Sequence, residues 1–91
     1  MNKLEVLQTA LVAREEEIAG YQINIDNYTL AIKQIEEQNT SDNDIDVALR
    51  EFSVQLQTLL QQHIVEQAKT QVIYDVIKAQ VEDLDTRPKT T

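Results

Sequence analysis

Leu4, Leu7, Leu11, Ile18, Tyr21, Ile25, Tyr28, Ile32 and Ile35 recur at alternating spacings of three and four, and only Arg14 interrupts them. Nothing else in the chain restricts its fold as much. An α-helix brings such positions onto one narrow stripe, so the pattern specifies a long helix that must lie against partner helices. It specifies no chemistry, and the activity is left open.

Composition narrows the alternatives. The 91 residues contain one Gly, one Pro, no Cys and no Trp, and 42% are hydrophobic. Collagenous, disulfide-stapled and low-complexity classes are excluded, and turn formers are too scarce for a meander of strands. No apolar run approaches the roughly 18 residues of a membrane span, and no basic leader precedes an apolar core. The expectation is a soluble, cytoplasmic protein.

The formal charge is −8, carried by both halves of the chain. A nucleic-acid backbone or an anionic membrane surface has no basic patch to meet, so neither is expected as a partner.

Asn2, with Glu5 three residues later, forms a capping box that starts the first helix at Lys3. Gly20 is the one weak helix former within it. Gln8, Glu15, Gln22 and Thr29 flank the stripe on one side; Ala10, Glu17, Asn24 and Ala31 flank it on the other. Small alanines widen the buried face, as a bundle requires. Ile23 and Leu30, with Val12 and Ala19, form a weaker apolar stripe on the far side.

The run Gln38-Asn39-Thr40-Ser41-Asp42-Asn43-Asp44 is polar and turn-prone, which places the loop there. Ser41 with Asp44, or Asn43 with Asp46, can cap the helix that follows. The acids are spaced somewhat like a calcium loop, but the glycine and the distal glutamate that such a loop needs are missing.

In the second helix Leu49, Phe52, Leu56 and Leu59 continue a heptad stripe. His63, Glu66 and Thr70 take the next three positions before Ile73 and Ile77 restore it. The apolar face also broadens to take in Leu60, Val65, Ala68, Val72, Val76, Ala79 and Val81, enough to touch two neighbouring helices. Arg87-Pro88 ends the helical pattern.

The expected architecture is all-α: two long antiparallel helices in a coiled-coil-like hairpin, helix 3–38, loop 39–44, helix 45–84, with a disordered tail at 85–91. Folding back about Ser41 and Asp42 pairs Ile35 with Leu49, Tyr28 with Leu56, Ile25 with Leu59, Tyr21 with His63 and Ile18 with Glu66. Arg14, Tyr21, His63, Glu66 and Thr70 then fall into one central polar layer, with an ion pair between Arg14 and Glu66. Such a layer fixes register in a bundle, at some cost in stability. A single hairpin buries little, so self-association is expected, most simply a dimer forming a four-helix bundle with Ile23, Leu30, Val72 and Val76 in its interface.

No catalytic constellation accompanies this fold. One His and no Cys cannot make a zinc site, and the hydroxyls of Ser41, Ser53, Thr58 and Thr70 lack a base and an orienting acid. No cofactor and no enzymatic activity are expected. The leading functional reading is a non-enzymatic, self-associating helical protein that binds an unidentified protein partner as adaptor, scaffold, assembly factor or inhibitor. Two alternatives stand beside it: a module that binds a small anionic ligand at the polar layer, and an acidic decoy of a nucleic-acid-binding protein.

Overall fold

The computed structural model describes residues 2–38 and 42–86, and every one of them except Asn2, Gln38 and Asp42 is helical. Helix α1 spans Lys3–Glu37 and helix α2 spans Asn43–Thr86. They fold back on each other as an antiparallel hairpin, a rod of principal extents 77 × 19 × 14 Å. Its radius of gyration is 20.7 Å, against ~12 Å for a compact domain of this length.

Both helix starts are fixed by short polar side chains. The Asn2 backbone is extended and its side-chain oxygen accepts the Glu5 backbone N–H at 2.8 Å, satisfying one of the donors that a first turn leaves free. At α2 the same work falls to Asp42, whose Oδ1 accepts the N–H groups of Asp44 and Ile45 at 2.9 and 3.3 Å. Asp44 and Asp46 follow in the first turn, where the helix dipole favours acids.

The boundaries therefore differ by a few residues from those expected. Gln38 is extended and outside α1, its N–H donating to the Ile35 carbonyl at 3.2 Å. Because Asp42 provides the cap, α2 begins two residues early, and Asn43 and Asp44 lie inside it. It also includes Asp85 and Thr86, two residues of the expected tail. Residues 39–41, with the expected cap Ser41, and 87–91 of the expected disordered tail lie outside the described residues.

Along α1 every position of the expected stripe is turned towards α2, including Arg14; Ala10, Asn24 and Ala31 are also half-covered. In α2 the stripe is rotated. The covered positions are Asp46, Leu49, Ser53, Leu56, Leu60, His63, Gln67, Thr70, Tyr74, Ile77, Val81 and Leu84, alternating by three and four throughout. Leu49, Leu56, His63, Thr70 and Ile77 belong to the expected stripe. Phe52, Leu59, Glu66 and Ile73 do not: they stand one position outside, giving way to Ser53, Leu60, Gln67 and Tyr74. That is a rotation of about 50° about the helix axis at 3.6 residues per turn.

The core between two such helices is slight. Leu56, Ile77 and Val81 are the buried apolar residues and Ser53 the buried polar one, and α1 contributes none among the described residues.

Gly20 has open space where a Cβ would stand and carries no unusual backbone angle. Its only intrinsic effect on the hairpin is then the entropy it adds to the unfolded chain. Gly20→Ala is expected to stabilise the protein by ~1 kcal/mol, read as a rise of about 4–8 °C in the thermal midpoint. A lowered midpoint would mean that something packs against Gly20.

Candidate interaction surface

The middle of the rod is held by an aromatic cluster and two polar bridges. His63 lies between two tyrosines, edge-to-face with Tyr21 at 5.8 Å and with Tyr28 at 5.2 Å between ring centroids. Its Nδ1 is 2.8 Å from the Leu59 carbonyl one turn back. A carbonyl only accepts, so Nδ1 carries the proton and Nε2 is left towards the cluster. One turn along, Gln67 donates through Nε2 to the Ile18 carbonyl at 3.2 Å and to Gln22 Oε1 at 3.0 Å. Tyr74 donates its hydroxyl proton to Glu15 at 3.2 Å.

These contacts fix the register. Tyr28 meets His63, where the fold-back scheme pairs it with Leu56, and Ile18 meets Gln67 instead of Glu66. The offset is about half a heptad. Continuing in step towards the loop puts Ile35 level with Ser53 and Leu56, so Asp46 and Leu49 project past the last seam residue of α1. An open cleft of about 370 Å³ results, with Ile35, Asp46, Leu49, Arg50 and Ser53 on its walls. Ser53 Oγ accepts a long 3.5 Å bond from Gln57 there.

Of the five residues expected in a polar layer, the structure brings Tyr21 and His63 together. The Arg14–Glu66 ion pair is not formed. Arg14 binds Glu17 on its own helix at 2.8 Å, and Glu66, turned outward by the rotation of α2, binds Lys69 at 3.2 Å. Thr70 faces the seam but returns its hydroxyl proton to the Glu66 carbonyl at 2.9 Å. Local i, i+3 pairing needs no long side chain to cross the hairpin, which is why it prevails over a cross-helix pair. Arg14 Nε is buried without an acceptor among the described residues.

Large apolar side chains also stand on the outer surface. Ile23, Leu30, Val72 and Val76 are 61, 63, 60 and 52% exposed, and Phe52 and Ile73 are 47 and 48% exposed. Gln67 and Tyr74 were missed as seam residues because apolar periodicity ranks Phe52, Leu59 and Ile73 above them. The signal available was their spacing, which keeps step with Leu60 and Val81.

Among the described residues no three His, Asp or Glu side chains gather where they could hold a metal ion, and no helix is long and apolar enough to cross a membrane. No family model, curated protein or solved structure matches the chain.

Proposed function

We propose that the protein is a non-enzymatic, self-associating helical protein that acts by binding other proteins, as adaptor, scaffold, assembly factor or inhibitor, in the cytoplasm. One observation carries this reading: large apolar side chains stand half or more exposed along the whole rod while three are buried within it. Monomers seldom keep so much apolar surface in water, and surfaces of this kind mark contact with other chains. Ile23, Leu30, Val72 and Val76, expected from sequence to form a self-association surface, are among the most exposed of these side chains.

The reading of a small-anion site has less support, since the Arg14 guanidinium is already engaged by Glu17. Light scattering coupled to size exclusion, over a wide dilution series, tests the proposal. The expected result is a particle heavier than one chain that loses mass and helicity together on dilution. A single-chain particle that stays helical at every concentration would overturn self-association.

A further inference from the structure

The two long edges of the hairpin are unlike. Along one, the seam residues of α2 reach over to α1 through Gln67–Gln22 and Tyr74–Glu15, and that edge carries the polar bridges between the helices. Along the other, α2 presents Phe52, Leu59 and Ile73 in heptad step, and α1 presents Ala13 and Ala31, both half-covered. The carboxylates in the middle of this apolar edge, Glu17 and Glu66, are each closed by a cation of their own helix, Arg14 at 2.8 Å and Lys69 at 3.2 Å. Covering them leaves no lone charge in the contact. Of the self-association surface named above, Val76 belongs to this edge by its heptad position, whereas Ile23, Leu30 and Val72 lie opposite the seam; the inference rests on the self-association reading and narrows its surface.

We propose that the apolar edge is closed by a second copy of the chain, related by a two-fold axis running along the rod. Each α2 then lies antiparallel on the partner's α1, and both loops sit at the same end of a four-helix bundle. The distribution of side-chain size selects this axis. His63 lying between Tyr21 and Tyr28 sets Leu59 near the height of Ala31 and Ile73 near that of Ala13. Rotation about the rod preserves height, so Leu59 and Ile73 of one copy come level with Ala31 and Ala13 of the other, and large alternates with small in these two layers. An axis across the rod would stack α2 on α2 and α1 on α1, leaving Ala13 and Ala31 without a bulky side chain opposite.

The available area is sufficient. Helix α1 is ~50 Å long at 1.5 Å per residue and the rod is 19 Å wide. One side therefore offers ~1,000 Å², against the ~800 Å² per partner of a stable interface.

The chain has no cysteine, so Glu37→Cys gives a single spin-label site beside the loop. Pulsed dipolar spectroscopy on this variant, with the mass measured in parallel, reads the arrangement directly. The expected result is a two-chain particle with a label separation of the order of the 19 Å rod width. A two-chain particle with labels ~50 Å or more apart, one α1 length, would overturn this axis and leave self-association standing. A single-chain particle would overturn both, and a particle of more than two chains would overturn the closed pair. Leu59→Glu is expected to halve the mass, whereas Val54→Glu, on the bridged edge and 62% exposed, leaves it unchanged; the reverse pattern would assign the contact to the other edge.

Discussion

Leu56→Ala is expected to destabilise the hairpin by about 2–5 kcal/mol, the range for emptying a well-packed leucine site. Leu56 is the most buried of the described residues, 4% exposed, and it lies where α2 first meets the last seam residues of α1. Urea titration followed by far-ultraviolet circular dichroism measures the loss as a lowered midpoint at unchanged slope. Leu30→Ala, at a residue 63% exposed, is the contrasting case, with a change within ~0.5 kcal/mol if that side chain meets only water. Equal effects at the two positions would mean that the seam is not where most of the stability resides.

Phe52→Ala is the second large effect, and its size depends on assembly. In a hairpin by itself the ring is 47% exposed, and truncation removes only about half of the burial that a phenylalanine can supply. Covered by a second copy, the same ring is a core residue whose loss costs about 3–5 kcal/mol. Thermal melting at low and high protein concentration separates the two cases, since a protein stabilised by association melts higher when concentrated. The wild-type midpoint is expected to rise with concentration and the Phe52→Ala midpoint to stay nearly flat. Parallel behaviour of the two proteins would place Phe52 outside any contact between copies.

The legible part of this fold is α1. Its main apolar stripe outweighs the weaker one of Val12, Ala19, Ile23 and Leu30, and its covered positions follow the main stripe down to Arg14. Helix α2 contains two overlapping stripes that share Leu49, Leu56, His63, Thr70 and Ile77. One adds Phe52, Leu59 and Ile73; the other adds Ser53, Leu60, Gln67, Tyr74 and Val81. Each adds three apolar residues, so a count does not separate them, and it is the second that faces α1 in the structure.

What decides between them is partnership across the hairpin. Gln67 finds Gln22 and the Ile18 carbonyl, and Tyr74 finds Glu15, so these polar side chains satisfy their hydrogen bonds at the seam while keeping one edge near water. A list of apolar positions contains no such information. The start of α2 was hidden for a related reason: Ser41 and Asn43 are cap candidates on paper, whereas Asp42 makes the capping bonds. The Arg14–Glu66 pair followed from the unrotated helix and disappeared with it.

The bridges at Gln67 and Tyr74 also bear on how the rod answers a pull along its length. Sliding one helix past the other by seven residues, ~10 Å, re-seats most apolar layers, so packing alone resists it weakly. The polar contacts resist it more. Such a step brings Gln67 to Glu15 or Tyr74 to Gln22, keeping one bridge of two, and draws His63 out from between its tyrosines. Tension along the shaft is therefore met by discrete stops one repeat apart, with the aromatic clamp as the catch that must release first.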